Sequence, residues 1–211
     1  MTQLLGGGLL ADLDACAAVS DAYGAVPSIA VGDVRLVITR KPWGSMIAIP
    51  GTRKDVLADW IRDLAALPHE SRTHPQLGEC HSGCLSGAEM AFDPALRAIG
   101  DDPYILALHS LGALGVLLGA MLTLAGKPPL RIVTFGAMRV SIGADVPNIL
   151  HAAAGVSYRN AGDPVMGLPP WPYGHWRAET QLGADAPDWI PDHYIEAYSA
   201  ALGLLAVGPL V

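Results

Sequence analysis

The chain has 211 residues, enough for one domain with a substantial core. Apolar residues make up 51% and charged residues 16%, which excludes a disordered chain. Lys and Arg (13) are outnumbered by Asp and Glu (20) and nowhere cluster, and the formal net charge of −7 speaks against nucleic acid and anionic membranes as partners.

In chain order, residues 9–23 read as a helix, with small and apolar residues on one side and Asp12, Asp14 and Asp21 on the other. The stretch before it, Met1 to Leu5, has no basic start, and Asp12 and Asp14 interrupt the apolar run, so no secretory signal is read. A cytoplasmic protein, or one exported with its signal already absent, is expected. Residues 34–40 and 46–49 read as strands separated by a turn at Lys41-Pro42-Trp43-Gly44. Residues 55–66 have a helical period, and 86–99 read as helix too. Residues 104–108 form a short, wholly apolar strand, followed after one turn by a helix over 111–125. That helix lies in the longest apolar run, Leu111 to Gly126. The run is short for a membrane span and broken by glycines, so a buried helix without stable membrane insertion is expected. Strands over 131–135 and 156–159 follow, then a proline- and tryptophan-rich loop over 164–192, then a helix over 193–206. Apolar strands alternating with helices predict an α/β fold with a mostly parallel central sheet covered on both faces, as a single domain over 1–211. A loop as long as 164–192 in a compact domain marks a functional region.

The segment Leu108-His109-Ser110-Leu111-Gly112 lies between a buried strand and a helix. Such a strand–turn–helix lifts a serine hydroxyl above the sheet and aims backbone N–H groups at it. A serine here also suits a plain helix N-cap, so the pentapeptide alone leaves both readings open. Three cysteines, Cys16, Cys80 and Cys84, are too few for a disulfide framework. His69, His74, Cys80, His81 and Cys84 form a loose group whose spacing fits no structural zinc pattern, so neither a metal nor another cofactor is expected.

Eight segments in order, from about residue 46 to 198, resemble the class 3 (fungal-type) lipases of the α/β-hydrolase superfamily. They are Ile47-Ala-Ile-Pro-Gly51-Thr52, Asp59-Trp60-Ile61-Arg62-Asp63-Leu64, His81-Ser82-Gly83, His109-Ser110-Leu111-Gly112, Val133-Thr134-Phe135-Gly136-Ala137-Met138-Arg139-Val140, Asn160-Ala161-Gly162-Asp163-Pro164-Val165 with Leu168-Pro169-Pro170, Tyr173-Gly174-His175, and Asp192-His193-Tyr194. The resemblance implies an α/β-hydrolase fold and a carboxylic ester hydrolase with Ser110 as nucleophile, His193 as base and Asp163 as acid, in the chain order usual for that fold. It also implies an oxyanion hole from the backbone N–H groups of Thr52 and Leu111, with the Thr52 hydroxyl as a third donor. His175 is the rival base, and the resemblance makes it a structural residue of the acid loop.

Trp171, Tyr173 and Trp176 lie between acid and base and either wall an acyl pocket or belong to the core. The resemblance places a lid between Thr52 and Trp60. Here that stretch is short and half charged, so short to medium acyl esters and weak interfacial activation are expected. The partner is a small-molecule or lipid ester, and nothing argues beyond a monomer or weak dimer. Two positions depart from the family pattern: Leu108 stands where Gly is usual and Pro50 where Arg is usual. They motivate a second reading, a catalytically impaired binding protein on the same fold. A third reading, a metal-dependent hydrolase, would rest on the His/Cys group.

Overall fold

The computed structural model describes residues 8–52, 67–183 and 190–207. The helix expected over 55–66 lies outside them. The chain begins with α1 (Leu9–Ala22), β1 (Ile29–Val31), β2 (Val34–Lys41), β3 (Gly44–Ile49), β4 (Pro68–Glu70) and β5 (Glu79–His81). It continues with α2 (Ser82–Ile99), β6 (Tyr104–His109), a 3-10 turn at Ser110–Ala113, α3 (Leu114–Leu124), β7 (Arg131–Phe135), β8 (Ser141–Ile142) and α4 (Asp145–Ile149). Last come β9 (Ala154–Asn160), a 3-10 turn at Pro164–Gly167, β10 (Tyr173–Gly174), β11 (Glu179–Leu182), a 3-10 turn at Ile190–His193, and α5 (Ile195–Val207).

The main sheet has seven strands in the order β1-β2-β3-β6-β7-β9-β11. The pairs β1–β2 and β2–β3 are antiparallel, and β3–β6, β6–β7, β7–β9 and β9–β11 are parallel. A second, antiparallel sheet, β10-β8-β5-β4, stands beside it. The period-2 geometry of the central strands sends alternate side chains to opposite faces. Ile47, Ile49, Leu106, Leu108 and Ile132 share one apolar cluster with α2 and α3. Met46, Ala48, Ile105, Ala107, Val133 and Phe135 share the other with α1 and α5. This is the α/β-hydrolase arrangement expected from the sequence, with helices on both faces.

Three sequence expectations need correction. The region 164–192 holds β10 and β11, and β11 is the edge strand of the main sheet. Its sequence, Glu-Thr-Gln-Leu, pairs on one side only and so needs no apolar run. The helix expected from 111 starts at 114, because the chain first tightens into the 3-10 turn at Ser110. Asp12 is buried, not on a solvent face of α1. Its carboxylate accepts from Arg131 Nη2 at 2.8 Å and Nε at 3.1 Å, and from the Tyr158 hydroxyl at 2.8 Å. Burying a charge is tolerated when it is paired and hydrogen-bonded in this way, and here the pairing ties α1 to β7 and β9.

Candidate active site

Strand β6 is buried along its whole length and ends at the carboxyl edge of the parallel strands. Ser110 follows with φ of 58°, the one non-glycine residue in the left-handed region among the described residues. An L-residue there is strained by about 1 kcal/mol or more, so the surroundings must hold it. A Cβ on Gly51 would collide with Ser110 Cβ, and one on Gly112 would collide with the Ile49 carbonyl. The two glycines let the end of β3 and the first turn after β6 close on the serine from both sides. The Met138 N–H donates to the Ser110 carbonyl at 3.4 Å. Leu108 is fully buried, and a Cβ on Gly115 would lie 2.5 Å from Leu108 Cδ2 and 2.9 Å from Ile49 Cδ1. The room for leucine at a usual glycine position is therefore made by a glycine on α3, and the turn forms with Leu108 in place.

Asp163 comes from the segment after β9, at the same carboxyl edge, and His193 from the turn before α5. Asp163 ends the segment after β9 and caps the turn Pro164–Gly167, accepting from Val165 N–H at 2.8 Å. His193 ends the turn that leads into α5. Its Nδ1 lies 2.8 Å from Asp163 Oδ2 and 3.0 Å from Oδ1. The Tyr198 hydroxyl, on α5, donates to Asp163 Oδ2 at 2.6 Å and accepts from Asn160 N–H at 3.0 Å. Burial by itself raises the Asp163 carboxyl, but the hydrogen bonds from His193, Tyr198 and Val165 outweigh it and hold the group below the usual carboxylate value. An ionised carboxylate only accepts, so His193 Nδ1 carries a ring proton, and in the neutral ring Nε2 is the nitrogen left to accept. Gly136, with φ of 53°, makes space for the pair, since a Cβ there would lie 2.6 Å from Asp163 Oδ2. Ser110 Oγ and His193 Nε2 are both buried and make no hydrogen bond among the described residues.

His109 joins the two halves. Its ring stacks on that of His193 at 4.7 Å between centroids. Its Nε2 lies 2.7 Å from the His193 carbonyl, an acceptor, so Nε2–H donates. Nδ1 then accepts from the Tyr23 hydroxyl at 2.6 Å, and that hydroxyl accepts from Gly51 N–H at 3.0 Å. One chain of hydrogen bonds thus runs from the glycine beside Ser110, through the residue after α1, to the backbone of His193. His109 lies in the motif around Ser110, whereas Tyr23 and Tyr198 belong to no local motif. The signal available in the sequence is that a tyrosine on an apolar helix face must find a partner for its hydroxyl.

The remaining sequence candidates separate. Thr52 follows Gly51 directly, and Leu111 is half-buried in the turn after Ser110. His175 Nε2 lies 2.9 Å from both the Met166 carbonyl and Glu179 Oε1, so it is engaged inside the acid loop. Trp176 belongs to the core, against Gly155 of β9. Tyr173 is buried in the small sheet, with its ring 6.1 Å from that of His81. Trp171 is 87% exposed and so is not part of the core. Among the described residues no group of three or more His, Cys, Asp or Glu side chains converges as a metal ion requires.

No protein-family model and no curated protein sequence matches the chain. Solved structures do. The Rhizomucor miehei triacylglyceride lipase is 17% identical, with a TM-score of 0.63 over 82% of this chain and 79% of that one. The Lip2 lipase of Yarrowia lipolytica is 17% identical, with a TM-score of 0.62 over 82% and 78%. A triacylglycerol lipase whose catalytic centre is described as a serine protease triad is 20% identical, with a TM-score of 0.58 over 74% of this chain and 63% of that one. The chain shares the fold of these lipases.

Proposed function

We propose that the chain hydrolyses carboxylic esters through an acyl-enzyme on Ser110. The observation that carries this reading is the meeting at one sheet edge of a buried, left-handed serine and a buried histidine–aspartate pair whose Nε2 has no partner among the described residues. In this reading Ser110 Oγ attacks the ester carbonyl carbon and passes its proton to His193 Nε2. His193 returns the proton to the leaving alcohol, and water repeats the sequence to release the acid. Asp163 holds the ring and stabilises the imidazolium. The backbone N–H groups of Thr52 and Leu111 and the Thr52 hydroxyl receive the oxyanion. The close approach of Gly51 to Ser110 supports Thr52 in this role. Lipases carrying this fold support an ester as substrate. Short to medium acyl chains are favoured, because the stretch after Thr52 is short and charged.

A fluorophosphonate probe tests the reading. The expected adduct maps to Ser110 by mass spectrometry, persists in EDTA and is absent in Ser110→Ala, whose turnover of p-nitrophenyl butyrate falls by about 10⁴-fold or more. One observation favours a second reading, a binding protein on the hydrolase fold: the Ser110–His193 hydrogen bond is not made. Such bonds often tighten only with substrate bound. Absence of both adduct and turnover in the wild type would overturn the ester-hydrolase reading.

A further inference from the structure

Tyr23 is the first residue past α1, yet its hydroxyl is committed to two groups beside Ser110. It accepts from Gly51 N–H and donates to His109 Nδ1, and the two rings meet edge-on with 5.8 Å between centroids. Burial raises the hydroxyl well above its ordinary value, so it remains an O–H donor. Tyr104 gives the contrast. It is buried at the opposite end of β6, and its hydroxyl donates to the Lys127 carbonyl at 2.7 Å.

A neutral His109 has one ring proton to place. While Nδ1 accepts from Tyr23, that proton stays on Nε2, where it holds the His193 carbonyl. With the proton on Nδ1 instead, the lone pairs of Nε2 and of the carbonyl would face each other. A second proton on the ring would leave the Tyr23 O–H without its acceptor and would set a positive ring 4.7 Å from that of His193. Such a neighbour opposes the imidazolium that His193 becomes when it takes a proton. On the other side, Gly51 approaches Ser110 so closely that a Cβ on it would lie 2.3 Å from Ser110 Cβ. Thr52 is the next residue, so a shift of Gly51 carries Thr52 N–H with it.

We propose that Tyr23 is a positioning residue for ester hydrolysis. One hydroxyl sets the tautomer of His109, which holds the base by its backbone, and tethers the strand end that leads to Thr52. It acts through His109 and Gly51, and the role rests on the ester-hydrolase reading of the site.

The test compares Tyr23→Phe with Tyr104→Phe in the full chain. Each removes one hydrogen-bonded hydroxyl and keeps the ring, and both should unfold cooperatively in urea at lowered midpoints. Turnover of p-nitrophenyl butyrate should separate them. Tyr23→Phe is expected to lower kcat about 10–100-fold with KM unchanged, and Tyr104→Phe to match the wild type. NMR of the histidine ring nitrogens should show His109 as the Nε2–H tautomer in the wild type and as a mixture of tautomers in Tyr23→Phe. Unchanged kcat in Tyr23→Phe, or an equal fall in Tyr104→Phe, overturns the positioning role. An Nδ1–H tautomer at His109 in the wild type overturns it as well, whether or not the variant folds. A wild type without turnover overturns the ester-hydrolase reading instead, and the catalytic role of Tyr23 goes with it.

Discussion

The turn at Ser110 and the Asp163–His193 corner meet at one edge of the sheet, yet they are held by different forces. Around Ser110 the restraint is steric: Gly51, Gly112 and Gly115 remove side chains so that β3, β6 and α3 close on one another. Around Asp163 and His193 the restraint is polar: Tyr198, Val165 N–H and His109 fill the hydrogen-bonding positions of a buried charge and of the loop that carries its partner. A packed turn tolerates a change of residue if a neighbour gives up the volume, as Gly115 does for Leu108. A buried polar group has no such freedom, because each unfilled position leaves an unsatisfied atom.

Asp163→Asn should cause the largest effect, a fall of about 10⁴-fold in kcat/KM, because the amide no longer fixes the His193 tautomer. The same change should alter the dependence of stability on pH. The Asp163 carboxyl titrates in the folded chain below its ordinary 3.8. Its contribution is therefore present above 3.8 and is lost as the pH falls below that value, through the lower folded one. Urea unfolding between pH 3 and 6 should show this loss in the wild type and not in Asp163→Asn. Next comes packing. Leu108→Ala should cost about 2–5 kcal/mol, and Gly115→Ala about 1–3 kcal/mol from overpacking. The double variant should cost less than the sum, and strict additivity in denaturant unfolding would break the account of mutual fit. Tyr198→Phe removes a hydrogen bond to a buried carboxylate and should cost about 1.5–3 kcal/mol. The smallest effect is the absence of one. Burial pushes the Cys16, Cys80 and Cys84 thiols up to about 12. An Ellman titration at pH 8 should therefore find no reactive thiol until the chain is unfolded.

The same contrast governs what was legible in the sequence. The strands buried on both faces, 104–108 and 131–135, stand out as apolar runs, and they carry the parallel sheet. Strands of two or three residues, β1, β4, β5, β8 and β10, are too short to show a period, and β11 is a polar edge. Ser110, Asp163 and His193 were visible because ordered motifs surround them. Tyr23 and Tyr198 were not, because their roles depend on contacts with residues 28 to 86 positions away. Leu108 was legible only as a departure. Its compensation lay in view at Gly115 of α3, which with Gly119 of that helix and Gly112 in the turn before it faces Ile49, Leu108 and Leu106.

The left-handed backbone of Ser110 has a consequence for how this chain has been selected. Glycine adopts that conformation without strain and leaves no buried hydroxyl unsatisfied, so Ser110→Gly should raise stability by roughly 1 kcal/mol. A protein used only as a scaffold gains nothing by keeping a serine there. The ester-hydrolase proposal accounts for a residue that ill suits a closely packed turn: stability given up for chemistry.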